Sequence, residues 1–209
     1  MALQEAVDAG IKIVYVDSPA DFPGEASFAT DNYNSGKMAG EFLIEQLQAK
    51  SQTEGLIGIV DGLPGSTTCT ARYEGFAAAF EGTAYTLSER QYCEGDVAKA
   101  QEFANTLVNN GAIALYSTDN PSANGVGAAT ADAQNNGLDV VCVGWDQSDM
   151  NISYVERGVI LGFMAQNPQV MGSDAIDAIV ALENGEDLGG KSVDTGVTIV
   201  TADNVEAFK

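Results

Sequence analysis

Seven polar clusters stand directly behind strand-like apolar runs of this chain. They are Asp17 and Ser18 after "IVYV", Thr30 to Asn32 after "ASFA", Pro64 to Thr70 after "GIVDG", and Cys93, Glu94 and Asp96 after "ERQY". Thr118 to Asn120 follow "ALYS", Trp145 and Asp146 follow "VCVG", and Gln166 and Asn167 follow "GFMA". The set is rich in carboxylates and amides and nearly free of cations. Asp, Asn and Gln accept from and donate to paired hydroxyls, which suits a neutral, hydroxyl-rich ligand. The single tryptophan, Trp145, offers a flat face of the kind that packs on the C–H face of a sugar ring. Each residue alone has a plainer reading, since Asp and Asn at strand ends also cap the following helix and Trp145 alone is a core anchor.

Other chemistries lack their parts. The chain has no histidine, which removes His-based triads and His-bearing zinc sites. "GLPGSTT" lacks the lysine and the spacing of a phosphate loop. "NIS" at Asn151 fits a glycosylation acceptor only as a short, weak motif. No nucleophile–base pair or cofactor loop stands out, so no enzyme, metal or cofactor is expected. The net charge of −21, with nine Lys and Arg, opposes nucleic acid and anionic membrane surfaces as partners. Cys69, Cys93 and Cys142 have no metal spacing. Cys142 sits inside an apolar run and reads as core. Cys69 and Cys93 each follow a strand by a few residues and can pair as a disulfide in an oxidising compartment, the alternative being two reduced thiols.

These clusters need a framework, and the pattern supplies one. Strand-like runs alternate with helix-like patterns almost throughout. "NYNSGKMAGEFLIEQLQAK" carries apolar residues at helical spacing, with Asn34 or Ser35 as its cap. "TTCTARYEGFAAAFEG" puts Arg72, Phe76 and Phe80 on one side and stops at Gly82. Asp96 opens the next helix, Gly111 closes it, and Pro168 starts the last long one. "AYTLSERQY" reads as one less buried strand, "SVDTGVTIVT" as extended, and "TADNVEAF" as a short terminal helix. No window reaches the roughly 18 apolar residues of a membrane span, and the start lacks a basic signal-peptide region. Such βαβα order predicts an α/β protein with open, mostly parallel sheets covered on both faces. Residues 55 to 166 supply strands for one full sheet. The segment before them supplies only one clear strand and the short "ASFAT", which a buried parallel strand cannot live on. The front therefore reads as the remnant of a second, smaller lobe.

Six motifs, in order over essentially all 209 residues, carry a family resemblance: "AVDAGIKIVYVDS", "ATDNYNSGKMAGEFL", "DGLPGSTTCTARYEGF", "ALYSTDNPSANGVGAA", "VVCVGWDQSD" and "GFMAQNPQVMGSDA". The chain resembles the type I periplasmic sugar-binding proteins, close to the ribose-binding group, which share their fold with the effector domains of lactose-repressor-like regulators. The resemblance implies two doubly wound parallel-sheet lobes joined by three crossing segments and closing on a sugar like a hinge. Residues 1–31 and 167–195 would form an incomplete first lobe, and 32–166 with 196–209 the second. It also implies a segment before this start that carries the first strands and the signal peptide, so the chain is expected to be a fragment. The implied function is an extracytoplasmic solute-binding protein, periplasmic or a cell-surface lipoprotein, that delivers a sugar or related polyhydroxy solute to the permease of an ATP-binding-cassette importer. The alternatives are a regulator's effector domain and a doubly wound enzyme. By resemblance Asp17 binds sugar hydroxyls from the first lobe, and Thr30 and Asn32 sit at the first crossing. Trp145 stacks on the sugar, Asp146 accepts an adjacent hydroxyl, and Gln166 is the amide of the second crossing. Asp119 stands where ribose binders carry Asn. Ser18 and Thr70 (also a pocket position) occupy the places of two arginines, which argues against ribose itself. A fragment with an unpaired apolar strand is expected to self-associate.

Overall fold

The computed structural model describes residues 2–209, which divide into two compact units. The first holds the residues up to Asp31 and Gln166–Val197, the second Asn32–Ala165 and Thr198–Lys209. In chain order the elements are α1 (Ala2–Asp8), β1 (Val14–Val16), β2 (Ala26–Ala29), α2 (Asn32–Ala49), β3 (Gly55–Asp61), α3 (Thr67–Ala79), β4 (Tyr85–Leu87) and β5 (Gln91–Tyr92). There follow α4 (Val97–Asn109), β6 (Ala112–Ser117), α5 (Asn120–Asn135), β7 (Val141–Trp145), α6 (Asp149–Glu156), β8 (Gly162–Gln166), α7 (Pro168–Glu183), β9 (Lys191–Asp194), β10 (Val197–Thr201) and a 3-10 turn at Val205–Phe208. Among the described residues no helix is long and apolar enough to cross a membrane.

The first unit is a parallel three-stranded sheet, β1-β2-β9, with Val14 opposite Ala26 and Ala26 opposite Lys191. Helix α7 covers it through Met171, Ala175 and Ala178, which close on Ala26 and Phe28. The other side of α7 leaves Ile176, Ile179 and Val180 exposed, and α1 buries nothing. The residues that bound the unit are tied together. Thr30 Oγ1 donates to Gln166 Oε1 at 2.9 Å, Asn167 Nδ2 to the Thr195 carbonyl at 2.8 Å, and the Thr195 amide to Ala29 at 3.0 Å.

The second unit carries a seven-stranded sheet ordered β10-β8-β7-β6-β3-β4, with β5 also on β3. Its β3–β6, β6–β7 and β7–β8 pairs are parallel. From β3 the chain steps outward through α3 to β4, then back through α4 to β6. With right-handed crossovers, a reversal of direction puts α3 and α4 on opposite faces, and α2 packs on α3 while α4 packs on α5. Small residues let α2 and α3 meet backbone to backbone. A Cβ on Gly36 would lie 2.0 Å from the Arg72 carbonyl oxygen, and one on Gly75 1.8 Å from that of Tyr33. The reversal leaves a crevice between the carboxyl ends of β3 and β6, the place where open α/β sheets bind ligands.

The sequence reading needs amendment in places. Helix α2 begins at Asn32, ahead of Asn34 and Ser35. "AYTLSERQY" is two strands, because Ser88 Oγ takes the amide of Ile59 at 2.9 Å and lifts the chain off the ladder. "SVDTGVTIVT" splits at Gly196 (φ 81°) into strands of two different sheets. The terminal helix is a single 3-10 turn, and α1, which the sequence reading does not predict, buries no side chain. Asp96 and Pro168 start their helices and Gly82 and Gly111 adopt positive φ at helix ends, as the sequence predicts.

Candidate functional site

Two acids named by the sequence share an unusual backbone. Asp17 follows β1 with φ 66° and Asp146 follows β7 with φ 65°. In each case the amide continues the parallel ladder, Asp17 N to the Phe28 carbonyl at 2.9 Å and Asp146 N to the Met164 carbonyl at 3.0 Å. Left-handed backbone is strained for a residue with a side chain, and Asp tolerates it better than most. The turn swings each carboxyl group off the strand direction at the sheet's carboxyl edge. Glu94, two residues beyond β5, repeats the device at φ 57°, and Lys99 Nζ sits 3.0 Å from its carboxylate. Asp17 is exposed and accepts from Ser18 Oγ at 3.0 Å. Asp146 is half-buried, and its carbonyl accepts from Asn151 Nδ2 at 2.8 Å.

The crevice between β3 and β6 holds groups that the sequence reading passed over. Asp61, the last residue of β3, is wholly buried. Its Oδ1 accepts from Thr118 Oγ1 at 2.5 Å and from the Gly62 amide at 2.8 Å, and its Oδ2 pairs with Arg90 Nε. Arg72, 4% exposed, lies alongside: its Nε donates to Asn32 Oδ1 and its Nη1 to the Thr118 carbonyl, both at 2.8 Å. Asn32, at the start of α2, is thus turned to the switch point by the close α2–α3 contact. Thr70 takes a long 3.4 Å contact from Arg90 Nη2. One signal for these residues was readable: a carboxylate inside the apolar run "GLIGIVDG" and an arginine on the apolar side of α3 both demand partners.

Trp145 differs from its expected role. The ring is 0% exposed, its indole N–H donates to Tyr116 Oη at 2.8 Å, and the Arg72 guanidinium lies 3.8 Å from the ring centroid. Tyr116 in turn stacks on Phe76, with centroids 3.7 Å apart. A ring with one face under a guanidinium and its polar atom satisfied is a buried support for Arg72, not an open stacking platform. Burial also pushes the Tyr116 phenol well above its ordinary range.

Asp119 is the N-cap of α5, in a reciprocal pair with Ser122: its Oδ1 takes the Ser122 amide at 2.9 Å. A Cβ on Gly62 would meet its Oδ2, so that oxygen lies against the loop after β3. The Cys69–Cys93 bridge is not formed, since all three thiols are free and buried. Cys69 sits in the first turn of α3, whereas Cys93 packs with Val60, Ala100 and Ala104 in the core under α4, on the sheet's other face. Burial raises the Cys93 thiol and pushes Cys142 up to about 12. Asn151 is wholly buried with its amide nitrogen on the Trp145 and Asp146 carbonyls, which rules out a glycan there. Among the described residues no cluster of His, Cys, Asp or Glu can hold a metal.

Residues 1–187 match the model of the periplasmic binding protein domain. The chain is similar to the D-allose-binding periplasmic protein of Escherichia coli K12, 30% identical over 194 residues, 88% of this chain and 61% of that protein. It is similar also to a ribose import binding protein of Haemophilus influenzae, 27% identical over 165 residues, 78% of this chain and 54% of that one. The chain therefore spans less than two thirds of the curated relatives it matches. Among solved structures, a carbohydrate transporter solute-binding protein of Agrobacterium radiobacter in complex with D-arabinose aligns over 99% of this chain and 72% of its own, with a TM-score of 0.89 and 26% identity.

Proposed function

We propose, from the premise that this chain belongs to the periplasmic binding protein family, that it binds a sugar or related polyhydroxy solute without making or breaking a bond. The observation that carries this is the pair of strained acids, Asp17 in one unit and Asp146 in the other, each held at the carboxyl edge of a parallel sheet. Thr30 and Gln166 in the first unit, and Asn32, Thr70 and Asp119 in the second, add amide and hydroxyl groups of the right chemistry. Trp145 serves indirectly, by holding Arg72.

The relatives are a periplasmic sugar binder and an import binding protein. On that ground the same reading puts this protein outside the cytoplasm, as the receptor that presents its sugar to the permease of an ATP-binding-cassette importer. Self-association belongs to it too, supported by exposed Val7, Ile11 and Val16 together with Ile176, Ile179 and Val180 in the first unit. Light scattering that finds only monomer removes that part.

Titration calorimetry and saturation-transfer NMR with D-allose, D-ribose and D-arabinose test the whole. Asp146→Gly and Asp17→Gly relieve backbone strain of about 1 kcal/mol each. Both variants should stay at least as stable and yet lose sugar binding. Undiminished binding in both removes the acids from the site and the reading with them. The three free thiols favour a second reading, the effector domain of a cytosolic regulator of the same fold, because reduced cysteines suit a reducing compartment. A DNA-binding head in the gene that encodes this chain decides for it; an export signal decides against.

A further inference from the structure

We propose that Arg90 is a ligand-gripping, specificity-determining residue of the second unit, and that it holds two neighbouring hydroxyl oxygens of a neutral sugar. This rests on the sugar-binding reading above and deepens it. Arg90 lies just before β5, and its side chain is 18% exposed while its carboxylate partner, Asp61, has no exposure at all. The other ion pairs among the described residues join side chains that are both exposed to solvent by 30% or more. A surface lysine bridge holds nothing in place. The Arg90 guanidinium is instead fixed from three directions. Asp61 holds its Nε, the Tyr73 ring centroid lies 4.5 Å away, and that of Tyr92 lies 5.2 Å away.

Fixed in this way, the group still has donors to give. Nε is occupied, Nη2 reaches Thr70 Oγ1 only at 3.4 Å, and Nη1 makes no hydrogen bond among the described residues. Asp61 Oδ1 already serves Thr118 and Gly62, and its Oδ2 takes only Nε of Arg90. The planar Nη1–Nη2 edge is therefore a preorganised pair of parallel donors beside the β3–β6 switch point, a geometry that matches two oxygens on adjacent carbons. Asp61 cancels the charge of Arg90, so the pair suits a neutral polyol rather than a free anion. Tyr73 and Tyr92 keep the fork from swinging away, so little rotamer entropy remains to be lost on binding.

The plainer alternative is an ion pair that only pins the β4–β5 segment to the end of β3, and the test separates the two. The 209-residue chain and its Arg90→Lys variant are titrated with D-allose, D-ribose and D-arabinose by calorimetry and saturation-transfer NMR. The monodeoxy analogues of whichever sugar binds follow. Arg90→Lys keeps the charge opposite Asp61 and removes the fork. It should weaken binding about tenfold or more with the melting temperature nearly unchanged. One monodeoxy sugar should bind the native chain worse than its parent and bind the lysine variant equally well. If the lysine variant unfolds, Arg90→Met with Asp61→Asn removes both charges and must show the same loss. A folded variant that binds like the native chain, with the same ranking of deoxy sugars, overturns the proposal and leaves the sugar-binding reading intact. A folded native chain that binds none of the sugars overturns both.

Discussion

Tyr116→Phe removes one oxygen from the buried stack and leaves no cavity to speak of. The ring is wholly buried and stays packed on Phe76. What disappears is the acceptor of the Trp145 indole N–H at 2.8 Å. The phenol's own donation, to the Arg72 carbonyl, is long at 3.4 Å and counts for less. The indole N–H has no exposure to water and makes no other hydrogen bond among the described residues. A buried donor left unpaired costs roughly 1–3 kcal/mol. With a urea slope of about 1–3 kcal/mol/M, the midpoint for the second unit should fall by roughly 0.5–2 M at unchanged slope. Trp145 is the only tryptophan, so its emission reports this unit alone, and loss of the hydrogen bond should shift it to the blue. Tyr85→Phe is the control, because it frees only a carbonyl, that of Gln52, which has a second lone pair. A Tyr116→Phe variant with native midpoint and native emission would refute the account: the indole would then have another partner, and the Phe76–Tyr116–Trp145–Arg72 stack would not be what holds the guanidinium.

Three further outcomes follow from the same packing. Unreduced, denatured protein should titrate three free thiols, and native protein near pH 8 almost none, since Cys69, Cys93 and Cys142 are all buried; one free thiol would restore the Cys69–Cys93 bridge. Gly75→Ala drives a methyl group into the Tyr33 carbonyl and should cost about 3 kcal/mol, or roughly 6–12 °C in Tm, by prying α2 from α3; a Tm within a degree of native would mean the helices separate freely. Stability should decline as pH rises from about 9 toward 12, because the unfolded chain ionises a thiol that the fold holds protonated to about 12 at Cys142; Cys142→Ala should flatten that decline, and parallel curves for the two proteins would exclude Cys142 as its source.

How much of this was readable from the residues depends on the range of the interactions. Alternating strand and helix patterns, the cap at Asp96 and the stops at Gly82 and Gly111 are local, and local chemistry determines them. The break at Ser88 is not local, because it depends on an amide of Ile59 that lies 29 residues away in sequence. The site divides in the same way. Asp17 and Asp146 show themselves as acids after apolar runs. Asp61 and Arg90 are also 29 residues apart, and Asn32 and Arg72 are 40 apart. Only tertiary pairing brings them together, β5 beside β3 for the first pair and α2 against α3 for the second. Trp145 misled for a related reason. An aromatic at a strand end reads as available, and nothing in "VGWD" tells that Arg72 of α3 covers one face and Tyr116 of β6 takes the nitrogen.

The left-handed acids bear on function more directly than any contact does. At a strand end with positive φ, glycine is the residue of least strain, and this chain uses it freely at its helix ends. Asp17 and Asp146 depart from that habit, at a cost of about 1 kcal/mol each. Their amides do not explain the choice, because a glycine would donate the same bonds to Phe28 and Met164. Neither acid begins a helix, so capping does not explain it either: α6 is capped by Ser148, and the element after Asp17 is the strand β2. Asp17 forms no ion pair among the described residues. For Asp17 what remains is the carboxyl group itself, turned off the strand by a backbone that only a strained residue or a glycine can adopt. In a chain of net charge −21, two more exposed or half-exposed acids bring no benefit to solubility that would justify the strain. On the proposed sugar-binding reading, acceptors aimed at hydroxyls supply the reason, and a neutral ligand is the kind that a strongly acidic protein can approach without repulsion.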